Sequence, residues 1–203
     1  MINFLFSETL VIKNYLKMVL SCRYALGKID PSSKITKNKK LFIYISDWLS
    51  SPLPIFNIYL SILLKKKGYK VFMLVDTFNL YNPVRSYIIN YLTQYILKYI
   101  NVRFDIGLIT ISKKNISNQK IDKKIINECI KFNLMRYQKD VRPSRLKKNT
   151  EERKKNDLIN VYKNLIDLIK TNKKTKILFL NSGGFLNSSY IITKLLKTYK
   201  KNY

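Results

Sequence analysis

Two short apolar runs with one helix-like segment between them limit this chain's fold more than any other feature. Lys40 to Ile45 and Tyr69 to Asp76 are rich in β-branched and aromatic residues and are bounded by charge. Continuous runs of this length suit strands buried on both faces. Between them, Pro54 fits the first turn of a helix, and Ile55, Phe56, Ile58, Tyr59, Leu60, Ile62, Leu63 and Leu64 supply its apolar residues. Gly68 closes the helix, because glycine takes the left-handed conformation that a helix end requires. The connection is long enough for a parallel crossover.

A second strand–turn–helix unit lies near the end of the sequence. Ile177 to Leu180 form an apolar run, Asn181-Ser182-Gly183-Gly184 form a breaker cluster, and Ser188 and Ser189 stand just before Tyr190 to Leu196. The serines supply capping hydroxyls, and the paired glycines let another group approach the backbone closely. A helix N-terminus facing the carboxyl end of a strand is where open α/β sheets bind ligands, often anionic ones. The plainer reading is an ordinary connection whose glycines only make the turn. The stretch is neither a GxGxxG fingerprint nor a Walker A loop.

The rest of the chain fits the same pattern. Residues 77 to 100 read as a helix with Tyr87, Tyr91, Tyr95 and Tyr99 four residues apart on one face. Such a stripe either stacks on sugars or bases or forms the half-buried edge of a helix. Phe104 to Ile111 is a third strand candidate, and Ile125 to Met135 a helix. Thr150 caps a long helix whose buried face includes Leu158, Val161, Tyr162, Leu165 and Ile169. Before it, Arg136, Arg142 and Arg145 lie close together, suited either to bidentate phosphate contacts or to a solvated connector.

Residues 2 to 26 carry apolar side chains three and four apart, which predicts an amphipathic helix. Glu8, Lys13, Lys17 and Arg23 interrupt it, so it does not read as a transmembrane span or a signal peptide. Two readings stand. The helix packs on its own domain, or its apolar face enters a membrane interface with Lys13, Lys17, Arg23 and Lys28 on anionic headgroups. Residues 28 to 40 read as a basic linker. The expected division is therefore residues 1–39 as helix and linker, and 40–203 as a single α/β domain.

Composition narrows the chemistry. With 39 Lys and Arg against 12 Asp and Glu, the net charge is +27, which favours nucleic acid, anionic lipid or phosphorylated ligands. Lys, Ile, Asn and Tyr all have A/T-rich codons, so the plainer reading is that a low-GC genome inflates the Lys count without any selected binding role. His is absent, which excludes His-based triads and His-ligated zinc within this chain. The two cysteines, Cys22 and Cys129, have no metal-like spacing and read as reduced thiols.

The phrase Leu63-Leu64-Lys65-Lys66-Lys67-Gly68-Tyr69-Lys70-Val71, the acidic strand end at Asp76, and the later Asn181, Gly183, Gly184, Ser188 and Ser189 carry a resemblance. Together, over roughly residues 40 to 199, they resemble the N-terminal domain of GT-B glycosyltransferases of bacterial capsular and surface polysaccharide synthesis. The resemblance implies an α/β, Rossmann-like three-layer domain with a mostly parallel sheet, preceded by the amphipathic helix. It implies an acceptor-binding half whose nucleotide-sugar donor would sit mainly on a second, C-terminal domain. The chain would then be a truncated half, inactive alone, taking a saccharide or lipid-linked acceptor. It would act in the cytoplasm, at the inner face of the cell membrane. Ser46, Asp47, Asp76 and the Asn181 to Ser189 turn would line the cleft. Asp47 is the candidate general base, against the plainer reading that it caps the following loop. No cofactor is implied. The competing class is a non-enzymatic basic protein that binds nucleic acid or an anionic membrane, although no helix-turn-helix, zinc, RRM or KH signature is visible.

Overall fold

The computed structural model describes residues 2–32, 34–35, 37–45, 52–75, 83–111, 120–130, 148–172, 179–180 and 188–199. Among them are six helices and four strands. In chain order these are α1 (Ile2–Gly27), β1 (Lys37–Ile45), α2 (Pro52–Lys66), β2 (Tyr69–Val75), α3 (Pro83–Phe104) and β3 (Gly107–Thr110). Then follow α4 (123–130), α5 (Lys148–Thr171), β4 (Phe179–Leu180) and α6 (Ser188–Thr198).

The strands form one open sheet in the order β3-β2-β1-β4, and every neighbouring pair is parallel. Leu41, Ile43 and Ile45 pair with Val71, Met73 and Val75, while Phe42 and Tyr44 pair with Phe72 and Leu74. Successive side chains point to opposite faces, so this register sorts them into two sets. Ile43, Ile45, Val71, Met73 and Val75 pack with α1, α2 and α3 residues in one core. Phe42, Tyr44 and Leu74 pack with α4, α5 and α6 residues in the other. The apolar runs read from the sequence are therefore buried from both sides.

The division of helices follows from the strand order. Crossovers of one hand that step outward from β1 to β2 to β3 must lay α2 and α3 on one face. The chain then returns past β1 to β4, so the same hand lays α5 on the other face. The two cores have this distribution.

Local signals explain the helix boundaries. Gly68 has φ 86°, and its N–H donates to the Lys65 carbonyl at 2.9 Å, closing α2 where the glycine predicted it. The Asp122 carboxylate accepts from the N–H groups of Lys124 at 2.9 Å and Ile125 at 3.4 Å, which caps α4. The expected strand at Phe104 starts too early. Ile96, Leu97, Ile100 and Phe104 continue one buried helical stripe, so α3 runs through Phe104. Asp105 then turns the chain with φ 50°, and β3 begins at Gly107. Asp is among the few non-glycine residues that accept this conformation. Lys65 holds it there: its buried Nζ donates to the Asp105 carboxylate at 2.7 Å and to the Asp105 carbonyl at 2.8 Å.

The N-terminal helix packs on the domain. Tyr15, Val19, Cys22 and Leu26 form a buried stripe that enters the same core as α2 and α3. α1 runs alongside α3 in the same direction. The hydroxyls of Tyr15 and Thr93 are hydrogen-bonded at 2.5 Å, and Arg103 donates to the carbonyls of Gly27 and Ile29 at 2.8 and 3.1 Å. A guanidinium at these last carbonyls also complements the negative end of the α1 dipole. No helix among the described residues is long and apolar enough to cross a membrane. Cys22 and Cys129 are buried in cores on opposite faces of the sheet, and burial pushes the Cys22 thiol up to about 11. The Cys22 thiol is therefore a poor nucleophile.

Candidate functional site

In a sheet whose strands all run the same way, every carboxyl end lies on one edge. Here that edge is formed by Ile45 of β1, Val75 of β2, Thr110 of β3 and Leu180 of β4. Helices that follow strands start again from this edge, so the N-termini of α2, α3 and α6 turn their free N–H groups toward it. The crossover direction reverses between β1 and β4. Those two strands are neighbours, with Phe42 opposite Phe179 and Ile43 opposite Leu180. Open α/β sheets bind their ligands beyond the carboxyl ends of the two strands that flank such a reversal, which here are β1 and β4.

Most residues expected from the sequence to form the site lie outside the described residues. They are Ser46, Asp47, Asp76, Arg136, Arg142, Arg145, Asn181, Ser182, Gly183 and Gly184. The flanks of two of these segments are described. Ser46 follows the last residue of β1, and Asn181 follows the last residue of β4, so both segments leave the sheet from adjacent strands at the same end. Ser188 and Ser189 are the first two residues of α6, so the helix starts two residues before the expected Tyr190. Lys13, Lys17, Arg23 and Lys28 belong to or follow α1 and are exposed. The Arg23 guanidinium lies over the Tyr95 and Tyr99 rings, 5.2 and 5.3 Å from their centroids.

The described framework near this edge is well tied. Asn57 on α2 is buried and donates from Nδ2 to the Tyr44 carbonyl at 3.0 Å, which fixes the start of α2 against β1. Ser61 donates to the Asn57 carbonyl at 2.7 Å. On the other face, Asn164 of α5 donates to the Ile111 carbonyl at 2.7 Å, just past β3. A buried amide that satisfies a strand-end carbonyl holds that edge at little net cost.

A polar cluster escaped the sequence reading. At the first turn of α6 the Tyr190 hydroxyl donates to the Glu128 carboxylate of α4. Lys194 Nζ stands 3.4 Å from the same carboxylate and 5.3 Å from the Tyr190 ring centroid. The Tyr190 hydrogen bond and then the Lys194 ammonium hold the Glu128 carboxyl below its ordinary range. Tyr190 moves the other way, raised by desolvation and by the bond to Glu128. A tyrosine in this state keeps its proton, so the trio is a clasp between α4 and α6 and not a poised base. Tyr190 and Lys194 do share one helix face, four residues apart, but their partner is 62 residues from Tyr190 in sequence.

The clasp has a pH signature. Glu128 has a lowered folded-state pKa, so its contribution is complete above the ordinary carboxylate value and is lost as pH falls through the lowered one. Glu128→Gln is expected to lower stability at neutral pH, where that contribution is complete, and to change little below the window, so the acid limb flattens there. Urea unfolding at stepped pH checks it.

Among the described residues, no three His, Cys, Asp or Glu side chains cluster in a way that could hold a metal ion. No known family matches the chain, and no curated protein or solved structure matches it either.

Proposed function

We propose that this chain is a Rossmann-like, acceptor-binding domain of the GT-B glycosyltransferase type. It would bind a saccharide or lipid-linked acceptor beyond the carboxyl ends of β1 and β4. The observation that carries this reading is the all-parallel order β3-β2-β1-β4 with its helices split between the two faces. That arrangement has a single reversal point, and Ser46-Asp47 and Asn181-Ser182-Gly183-Gly184 directly follow the two strands that flank it. Open α/β sheets bind their ligands at such points.

The chemistry expected of these residues is modest. Asp47 would accept the proton of an acceptor hydroxyl during transfer. Asn181, Ser182 and the N-terminus of α6 would bind a phosphate or sugar hydroxyls, with Gly183 and Gly184 admitting close backbone approach. The nucleotide-sugar donor belongs to a second domain in this reading, so the test here is acceptor binding. A short-chain polyprenyl pyrophosphate-linked sugar is titrated calorimetrically into the wild-type chain. Asp47→Asn and Asn181→Ala are each expected to weaken binding by about fivefold to tenfold, the effect of one lost hydrogen bond. Absence of binding, or binding indifferent to both substitutions, contradicts the proposal.

A further inference from the structure

The α1 helix buries one stripe and still exposes apolar side chains on the side turned away from it. Leu10, Leu20 and Tyr24 are 50%, 51% and 69% exposed, and Leu16 is exposed as well. Leu16, Leu20 and Tyr24 follow one another at intervals of four, so they form one line along the helix. Exposed Lys13 and Lys17 border this line, and Lys28 Nζ lies 4.4 Å from the Tyr24 ring centroid. The surface continues onto α3. Tyr91 is 65% exposed, and Arg23 of α1 reaches over Tyr95 and Tyr99, joining the outer faces of the two helices.

We infer that this α1–α3 surface docks on an anionic lipid bilayer, lying in its headgroup layer without spanning it. Three observations select that partner. Leucines left exposed on a helix that is otherwise docked give the shallow apolar contact a bilayer interface accepts. Tyrosine, with an apolar ring and a polar tip, is enriched at that depth. Lysines beside the leucines can lay their stems on apolar surface and carry their charges to the phosphates. Acidic groups are sparse here: the described residues of α1 beyond Glu8 carry none. A polynucleotide would use the charge but has no use for Leu16 and Leu20, and a protein partner would not require the lysine border. Arg23 serves the surface indirectly, because its guanidinium is already stacked on two rings.

The structure also separates this surface from the candidate ligand site. One is the outside of the α1–α3 layer, the other the carboxyl edge of the sheet. The inference does not depend on the glycosyltransferase reading.

Co-sedimentation of the full chain with phosphatidylglycerol vesicles, against phosphatidylcholine vesicles, tests it. The wild-type chain is expected to sediment with the anionic vesicles and to be released by added salt. Leu16→Ser/Leu20→Ser and Lys13→Glu/Lys17→Glu should each reduce partitioning by about tenfold or more, as the loss of two anchoring groups requires. All four positions are exposed, so both double variants should unfold at the wild-type temperature, read by circular dichroism. Failure to sediment, equal binding to both lipids, or sedimentation unchanged by the leucine pair overturns the inference. Binding of a DNA duplex that depends on the lysines and ignores the leucines would assign the surface to polynucleotide and overturn it too.

Discussion

Ile43→Ala is expected to cost about 2–5 kcal/mol, the range for emptying a fully packed aliphatic site. Ile43 is 0% exposed on β1, one of the two inner strands of the sheet, opposite Met73 on one side and Leu180 on the other. Its side chain enters the core shared with α1, α2 and α3. The described residues of that core are themselves buried, so little can collapse into the space left. For a chain of this size each kcal/mol lowers the melting temperature by roughly 2–4 °C. Leu20→Ala is the control. Its side chain is half exposed, and its loss should change stability by less than about 0.5 kcal/mol. Paired urea melts give both values. Equal costs would mean that the face assignment of β1 or of α1 is wrong.

Gly107→Ala is the second large effect, and it comes from a steric clash. A Cβ built on Gly107 would lie 2.3 Å from Cδ1 of Phe72, 2.7 Å from Cε1 and 3.2 Å from Cγ. Phe72 is the cross-strand partner of Gly107, and its ring stacks on Phe42 with centroids 5.2 Å apart. The ring cannot turn away without giving up that stack. Overpacking of this kind costs about 1–3 kcal/mol. Phe72→Leu removes the obstacle, so Gly107→Ala should be far better tolerated in that background. A double-mutant cycle reads the difference as a coupling of about 1 kcal/mol or more. Additive costs would show that Gly107 is glycine for some other reason.

These two residues also mark what could be read in the sequence and what could not. Leu41 to Ile45 and Val71 to Val75 were legible as buried strands, because a strand covered on both faces needs an unbroken apolar run. Gly68 was legible as a helix end, because its conformation is a property of the residue itself. The end of α3 was not. Asp105 is held in place by Lys65, 40 residues away in sequence, and no local pattern records such a pairing. The same holds for Glu128 with Tyr190 and for Tyr15 with Thr93. The role of Gly107 depends on its cross-strand partner, and register is a property of the assembled sheet.

The α1 helix shows a different limit. Its apolar residues were read as one face with one destination, the domain or a membrane. The buried stripe at Tyr15, Val19, Cys22 and Leu26 uses only some of them, and Leu10, Leu16, Leu20 and Tyr24 stay outside. Hydrophobic periodicity counts apolar positions along the chain. It does not separate two partly overlapping apolar faces on one helix. Of the candidate site, the sequence supplied the expectation of a strand followed by a turn and a helix, and β4 and α6 are that strand and that helix. What it could not supply was that β1 and β4 are neighbours, which is the fact that makes the residues that follow them a candidate site.

The central claim is that ligand binds at the carboxyl ends of β1 and β4. The most direct measurement is amide hydrogen exchange with and without the polyprenyl pyrophosphate-linked sugar. The account predicts protection confined to peptides covering residues 46–51 and 181–190. Protection confined instead to the opposite edge of the sheet, in peptides covering residues 34–40 and 66–70, would contradict it and make the lysine-rich amino edge the binding surface.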